Sequence, residues 1–335
     1  MSGRSLVSIL IPARNEEANI PALERELTQA LDQLPDYDFE FLVIDNRSTD
    51  GTGERVKEIC RRDPRWRYAR LSRDFTVEMS LTAGYQFARG DAIVVLYSDL
   101  QDPPDVIPHM ISKWREGYDV VYGVRHVRPG DPAWRNAVVK LAYRIIRLAA
   151  DVNIPVDAGD FRLISRRVRD ALLACPEYNR YLRGLITWLG FRQTGVEYVR
   201  RPRRAGRSNA PLSHLIPFTL NAITSFSMRP LRIFTVFGFL MLAICFAASI
   251  VYVVLYFRGS PPPGITTILV LLLGGIGLNS IGIGVLGEYL GRTYAEVKRR
   301  PLFIVDETVN LPSSESESPG PGIGVAGGPG ILRSP

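Results

Sequence analysis

The sequence predicts an α/β fold: a mainly parallel sheet with helices on both faces, followed by amphipathic helices and a two-helix membrane hairpin. Three observations predict it. Strand-length apolar runs alternate with segments of helical period up to residue 97. Basic amphipathic segments follow. Two long uncharged apolar stretches, residues 233–257 and 265–287, then lie near the carboxyl terminus.

The first βαβ unit is predicted from residues 6–12, 16–34 and 39–45. The outer two segments are apolar runs rich in β-branched and aromatic residues, and the middle one has a helical period. The alternation continues as helix, strand, helix and strand over residues 53–62, 66–71, 77–89 and 92–97. A parallel sheet follows from this order.

Polar clusters end three of these strands, at residues 12–16, 45–50 and 98–104. Ligands of parallel α/β sheets bind at the carboxyl ends of the strands. We therefore expect the three clusters to converge on one edge as a binding site.

After residue 123 the pattern changes to basic helices. Apolar residues recur every three or four positions at Trp134, Val138, Leu141, Ile145 and Leu148, with arginine and lysine between them. Such a helix lies on a membrane surface or packs on the sheet with a solvated basic face, and periodicity leaves both open. A second candidate segment runs over residues 211–228.

Each apolar stretch is long enough to cross a hydrocarbon core of about 30 Å at about 1.5 Å per residue. Only residues 258–264 separate them, and arginine and lysine flank the outer ends. The positive-inside rule then predicts a multi-pass protein of the plasma (inner) membrane with both ends and the catalytic domain in the cytoplasm. Two buried core helices are disfavoured, because uncharged segments of this length are rare in soluble cores.

Composition sets the domain plan and the class of partner. With 41 basic against 34 acidic residues the chain carries a net charge of +7, which favours lipid headgroups or phosphorylated lipids over nucleic acid beside a bilayer. Cys60, Cys175 and Cys245 form neither a disulfide framework nor a metal spacing. The predicted order is a cytoplasmic domain (1–210), a membrane-interface segment (211–232), two membrane helices (233–287), a juxtamembrane segment (288–310) and a disordered tail (311–335).

Residues 98–104 read Ser-Asp-Leu-Gln-Asp-Pro-Pro at a strand end. Carboxylate and amide oxygens there are the hard ligands that Mg²⁺ or Mn²⁺ bridging two phosphates needs. An aspartate at a strand end more often forms a turn or caps a helix. Its neighbours in the sequence decide between the two.

Six motifs in order resemble the family-2 glycosyltransferases, and within them the polyprenyl-phosphate glycosyltransferases, relatives of dolichyl-phosphate mannose synthase and bactoprenol glucosyltransferases. The resemblance extends from about residue 6 to residue 305 and includes the hairpin. The motifs are residues 8–17, 43–52, 71–75, 98–104, 157–163 and 286–292.

The resemblance implies a nucleotide-sugar transferase domain of the GT-A type and a role for each matching residue. Nucleotide-sugar binding is implied for Pro12, Arg14, Asn15, Glu16, Asp45, Ser98 and Asp99. Metal binding, to Mg²⁺ or Mn²⁺, is implied for Asp99 and Gln101. The acceptor phosphate is implied to bind Arg125, Arg128, Arg203 and Ser208. Single arginines could equally be solvated or lipid-facing, but a cluster beside the membrane favours phosphate.

Catalytic roles are implied for Asp99, Asp160 and Asp157. Asp160 is expected near the anomeric carbon, orienting the attacking phosphate or acting as a base, while Asp157 shapes the loop. The alternative is a glycine-containing turn capped by both aspartates.

The implied function is inverting transfer of a sugar from a nucleotide sugar to polyprenyl phosphate at the cytoplasmic face of the membrane, in cell-envelope glycan synthesis. The alternatives are a non-catalytic nucleotide-sugar-binding membrane protein and, less favoured, a polysaccharide synthase, which needs more membrane spans and a Gln-x-x-Arg-Trp segment. Whether the chain forms a homo-oligomer stays open.

The chain departs from the family pattern at four places. Tyr97 replaces the first carboxylate of Asp-x-Asp, which predicts weaker metal dependence. Asn46-Arg47 replaces Asp-Gly, Thr76-Val77 replaces Gly-Lys, and Asn209 replaces a lysine. Changes at both the nucleotide loop and the sugar loop predict a donor other than UDP-glucose or GDP-mannose.

Overall fold

The computed structural model describes residues 4–125, 158–201, 229–259, 264–311 and 323–325. Within these ranges the strands form one nine-stranded sheet in the order β7-β5-β6-β4-β1-β2-β3-β8-β9. The strands are β1 (Ser5–Ala13), β2 (Tyr37–Asp45), β3 (Trp66–Leu71), β4 (Ala92–Val95), β5 (Val120–Arg125), β6 (Ala158–Ser165), β7 (Gln193–Tyr198), β8 (Phe303–Val309) and β9 (Ile323–Val325).

The helices are α1 (Ile20–Leu31), α2 (Thr52–Arg62), α3 (Val77–Phe87), α4 (Ile107–Arg115), α5 (Arg166–Ala174), α6 (Leu182–Trp188), α7 (Arg229–Phe257) and α8 (Ile265–Val297). A 3-10 turn, Pro104–Val106, precedes α4. The alternation of strands and helices predicted for residues 6–97 is confirmed, and β3 has the predicted bounds.

The predicted mainly parallel sheet is also confirmed. Strands β1 to β4 pair in parallel, as do β5 with β7 and β8 with β9. The antiparallel pairings are those of β6 with β4 and β5 and of β8 with β3. As a result the carboxyl ends of β1 to β5 and β7 and the amino end of β6 share one edge.

Alternation along the strands produces an apolar layer on each face. Ile9 and Ile11 of β1 pack with Leu23 and Leu27 of α1 on one face. On the other face, Leu10 packs among residues of α3 and α5. All of these side chains are buried, so helices cover both faces and the sheet edge is left for ligands.

Two helices are long and apolar enough to span a membrane, over Leu231–Phe257 and Leu271–Val297, with mean hydropathies of 2.5 and 1.5. Neither is buried against the rest of the described chain. Their contact includes Gly282, where a Cβ atom would lie 2.2 Å from the ring of Phe234. The hairpin predicted from the sequence thus has the lengths and the exposed apolar surface that membrane association requires.

The chain after the hairpin returns to the sheet, which the predicted juxtamembrane segment did not anticipate. Its residues continue α8 to Val297 and then form β8, with Phe303 fully buried. Asn310 Nδ2 donates to the carbonyl oxygens of Cys60 and Trp66 at 2.9 Å, which fixes the end of β8. Within the tail that we predict to be disordered, the structure describes only the strand β9 and Leu311.

Candidate active site

The loops after β1 and β2 are tied together at the shared edge. Asn15 has a φ of 54°, a conformation that asparagine tolerates better than most residues. Its backbone N donates to Ser48 Oγ at 3.0 Å, and its Oδ1 accepts from the Thr49 N at 2.8 Å. Beside it a cleft of about 460 Å³ is lined in part by Asn15, Glu16 and Asp50.

Asp45, at the end of β2, is buried and shapes the loop that follows. Its Oδ1 accepts from the Ser48 N at 2.7 Å, and its Oδ2 accepts from the Tyr68 hydroxyl at 2.6 Å. Burial, together with this hydrogen bond to Asp45, raises the pKa of Tyr68 far above its usual range. The tyrosine therefore stays a proton donor, and Asp45 keeps its loop in one conformation.

Arg14 and Asn46 meet at Asp74, in the segment between β3 and α3. The Arg14 guanidinium lies 2.6 Å from one Asp74 oxygen, and Asn46 Nδ2 donates to the other at 3.0 Å. Asn46 also bonds both backbone groups of Phe75. The Asn46 departure from the family pattern therefore has a structural role, since its amide supplies a donor and an acceptor together.

Arg47, the second residue of that departure, also makes a specific contact. It has a φ of 60°, the left-handed region in which the family pattern has glycine, and its guanidinium pairs with Asp306 of β8 at 2.6 Å. The strand that follows the second long apolar helix thus contacts the loop after β2 directly.

The Ser98–Gln101 turn lies at the end of β4. Ser98 is buried and its Oγ donates to the Pro12 carbonyl at 3.2 Å, joining this turn to the first loop. Asp99 Oδ1 accepts from the Gln101 N at 3.2 Å, and Leu100 between them has a φ of 55°. Asp99 is thereby held half-buried at the sheet edge.

The oxygens of Asp99 and Gln101 suit a metal shared with a ligand. Among the described residues, no group of three or more histidine, cysteine, aspartate or glutamate side chains could hold a metal ion. Mg²⁺ is ordinarily held by one or two carboxylates together with phosphate oxygens and waters rather than by an all-protein cage. One carboxylate and one amide fit a metal of that kind.

Two arginines lie near the buried carboxylate of Asp102. It is 1% exposed and accepts from the Tyr198 hydroxyl at 2.5 Å, while Arg125 Nη2 lies 3.7 Å and Arg200 Nε 3.9 Å from its Oδ1. Burial and the neighbouring charge of Arg125 lower the pKa of Arg200, and Asp102 and Asp99 oppose that shift. Two guanidinium groups that repel each other beside a single buried carboxylate favour an anionic ligand.

Asp160 lies on the neighbouring strand β6 in a network with Arg183 and Tyr97. Arg183 Nε and Nη2 each donate to it at 2.6 Å, and the Tyr97 hydroxyl donates at 3.1 Å. Burial alone would raise the pKa of Asp160, but the charge and hydrogen bonds of Arg183 outweigh it and hold that pKa well below its usual range. Asp160 is therefore ionised at neutral pH.

Burial, the charge of Asp160 and its hydrogen bond raise the pKa of Tyr97 well above its usual range, so its hydroxyl stays protonated. Glu78 interacts electrostatically with Asp160 and Arg183, and burial raises the pKa of Glu78 too. Tyr97, which stands where the family has a carboxylate, thus serves Asp160 as a hydrogen-bond donor.

Arg125 packs against the backbone of Gly159, the residue before Asp160. A Cβ atom on Gly159 would lie 2.7 Å from Arg125 Nη2, so the guanidinium occupies the space that a larger side chain would take. Arg125 also senses the positive charge of Arg183. Three arginines, Arg125, Arg183 and Arg200, therefore gather around the edge that carries Asp99 and Asp160.

The structure thus brings together every predicted site residue that it describes at one edge of the sheet. Four others lie outside the described residues: Arg128, Asp157, Arg203 and Ser208. The amphipathic segments 134–148 and 211–228 lie outside them too. Sequence reasoning missed Arg183 and Arg200. The pair Arg200-Arg201, two residues after the end of β7, was a signal for Arg200, whereas Arg183 lies in the seven-residue helix α6 and has no comparable local signal.

Comparison with known proteins gives concordant findings. Residues 8–173 match the model of glycosyl transferase family 2. An uncharacterized glycosyltransferase of Bacillus subtilis is 39% identical over 93% of this chain and 96% of its own length. A prophage-derived bactoprenol glucosyl transferase of Shigella flexneri is 37% identical over 90% of this chain and 98% of its own.

A search of solved structures finds glucosyl-3-phosphoglycerate synthase of Mycobacterium tuberculosis, 21% identical, with a TM-score of 0.45 over 66% of this chain and 78% of the other.

Proposed function

The chain belongs to glycosyl transferase family 2, and from that premise we propose that it transfers a sugar from a nucleotide sugar to a polyprenyl phosphate at the cytoplasmic face of a membrane. The observation that carries the proposal is the group of three arginines beside Asp99 and Asp160. A nucleotide diphosphate and a lipid phosphate must approach each other in this reaction, and this edge offers positive charge for both. The bactoprenol acceptor named for the Shigella relative supports the same acceptor class.

The reaction is a single displacement with inversion. An oxygen of the acceptor phosphate attacks the anomeric carbon from the face opposite the leaving group. The bond from that carbon to the diphosphate oxygen breaks, and its electron pair leaves with the nucleoside diphosphate. Phosphate is already an anion near neutral pH, so the nucleophile needs orientation and charge screening more than deprotonation.

The residues divide this work among them. The loops that contain Asn15, Glu16 and Asp45 hold the nucleoside. Arg14, which pairs with Asp74, covers the nucleoside. Asp99 and Gln101 would hold a divalent cation. That cation, when bound, neutralises charge on the leaving diphosphate. Arg125 and Arg200 bind the acceptor phosphate from the Asp102 side.

Asp160 acts as an orienting group rather than a base. A general base works best when its pKa lies near the operating pH, and the pKa of Asp160 lies far below it. Its charge instead aligns Arg183 and stabilises the positive charge that develops at the anomeric carbon.

The proposal is tested by incubating purified full-length protein with radiolabelled nucleotide sugars and either polyprenyl phosphate or the unphosphorylated polyprenol. We expect one labelled lipid product, with the phosphate acceptor only. Stabilisation by a nucleotide sugar without turnover would identify a binding protein, and a labelled polymer would identify a synthase.

The arginines give a second test. We expect Arg125→Ala and Arg200→Ala to lower kcat/KM for polyprenyl phosphate about ten- to a hundredfold, because each removes charge-assisted hydrogen bonds worth about 1.5–3 kcal/mol. Nucleotide-sugar affinity, measured by calorimetry, should change little. Lysine at either position should restore only part of the activity, since a point charge lacks the planar fork of arginine.

Arg62→Ala serves as the control, because Arg62 is exposed and pairs with Glu24. If both alanine variants instead weaken nucleotide-sugar binding and spare the lipid step, these arginines bind the diphosphate.

Topology can be tested in intact cells. With the hairpin in the membrane, labels placed after Pro301 and before Leu6 should react only once the cytoplasmic side is opened, while a label within residues 258–264 should react from outside. The basic flanks of the hairpin are the reason. A tail that is labelled in closed cells would contradict both the hairpin and a cytoplasmic active site.

A further inference from the structure

The last turn of α8 contacts the catalytic domain. Past its apolar stretch, α8 carries Glu296, whose two carboxylate oxygens accept from the Tyr178 N at 2.8 and 2.9 Å. One of them also lies 3.3 Å from the Asn179 N. A side chain of the second membrane helix therefore satisfies two backbone donors in the loop between α5 and α6.

That loop has a defined shape. Arg180 is buried, its Nη2 donates to the Cys175 carbonyl at 2.5 Å, and its Nε donates to the Glu177 carbonyl at 3.1 Å. Burial lowers the pKa of Arg180, while negative charges that include Glu177 and Glu296 oppose that shift. Arg180 thus holds the loop from inside, and Glu296 holds it from the membrane helix.

The loop leads directly into Arg183. Tyr181 is the N-cap of α6 and provides no side-chain cap, and the helix has only seven residues. A helix this short is unstable by itself, so tertiary contacts must fix where it begins. Arg183 lies in its first turn, four residues after Asn179, and donates both of its 2.6 Å hydrogen bonds to Asp160.

We propose that Glu296 is a positioning residue of the active site: by holding the Tyr178–Asn179 backbone it sets the Arg183 guanidinium against Asp160. The membrane hairpin then does more than anchor the enzyme, because the end of its second helix aligns a residue beside the reacting carbon. This inference rests on the proposed function, since it assigns Glu296 to the transfer reaction.

Kinetics of the full-length protein in membranes test it. We expect Glu296→Ala to lower kcat about tenfold, since it removes hydrogen bonds to a charged acceptor, and to leave nucleotide-sugar affinity unchanged. Glu296→Gln keeps one acceptor oxygen and should lose less. Glu288→Ala is the matched control, because Glu288 lies on the same helix and pairs with Arg292 there; it should behave as wild type.

A double-mutant cycle separates positioning from general support of the fold. If Glu296 acts through Arg183, combining Glu296→Ala with Arg183→Lys should cost no more than Arg183→Lys alone. Combining Glu296→Ala with Arg14→Ala, on the donor side, should multiply the two losses. Multiplicative losses in the Arg183 cycle would overturn the inference.

Other outcomes are equally decisive. An active wild type with Glu296→Ala at full kcat would overturn this inference and leave the proposed function standing, whereas an inactive wild type would overturn the proposed function itself. An equal loss in Glu288→Ala would show a general effect of charge on α8 and so also count against positioning. If Glu296→Ala does not fold, Glu296→Gln carries the comparison: a partial loss of kcat in that variant supports the inference, and wild-type kcat overturns it.

Discussion

Replacing Asp160 with asparagine should lower kcat/KM for sugar transfer by about a hundredfold or more. The carboxylate accepts two 2.6 Å hydrogen bonds from Arg183 and one from Tyr97. Asparagine can accept only through one oxygen and leaves the Arg183 charge uncompensated; each hydrogen bond to a charged group is worth about 1.5–3 kcal/mol. Steady-state kinetics with nucleotide sugar and polyprenyl phosphate would measure the loss, and Asp170→Asn is the control, because Asp170 is exposed and pairs with Arg169.

The pH dependence of this variant distinguishes an orienting carboxylate from a base. Because the pKa of Asp160 is lowered from its ordinary 3.8, the stability that its ion pair contributes is complete above that value and is lost only as the pH falls below it. The difference in unfolding free energy between wild type and Asp160→Asn should therefore be constant from about pH 5 to pH 8 and shrink below about pH 4. An acid limb of kcat/KM in the neutral range that vanishes in Asp160→Asn would show that Asp160 is a base after all.

How far the sequence predicts this site depends on how local the signal is. Buried parallel strands are continuous apolar runs, so β1, β2 and β4 are visible in the sequence, and their polar ends can be assigned to one edge. Contacts between distant segments have no such local signal. Arg183 reaches Asp160, and Glu296 reaches the loop before Arg183 across more than a hundred residues, as its separation of 118 from Tyr178 shows.

The departures from the family pattern illustrate the same limit. The sequence shows only that Tyr97 replaces a carboxylate of the family pattern, because the motif does not tell which group the longer side chain reaches. In the structure its hydroxyl donates a hydrogen bond to Asp160. Arg47 is likewise a substitution for glycine in the sequence, and only the return of β8 shows that its guanidinium pairs with Asp306.

Asp99→Asn should remove most of the transfer activity, about a hundredfold or more, while the protein remains folded. Because Tyr97 replaces the first carboxylate, Asp99 is the only aspartate between Tyr97 and Gln101 that could bind the cation. A cation on the diphosphate contributes several kcal/mol of transition-state stabilisation. Asparagine keeps the size of the side chain and the acceptor for the Gln101 N, so thermal unfolding should change little.

Two measurements check this expectation. In wild type, affinity for the nucleotide sugar should rise on addition of Mg²⁺ or Mn²⁺ and fall in excess chelator; in Asp99→Asn the metal should have little effect. Asp105→Asn is the control, because Asp105 is exposed in the 3-10 turn that precedes α4 and pairs with Arg201. Full activity of Asp99→Asn, or of wild type in excess chelator, would mean that the surrounding arginines alone neutralise the leaving diphosphate, since Arg200 already lies within electrostatic reach of Asp99.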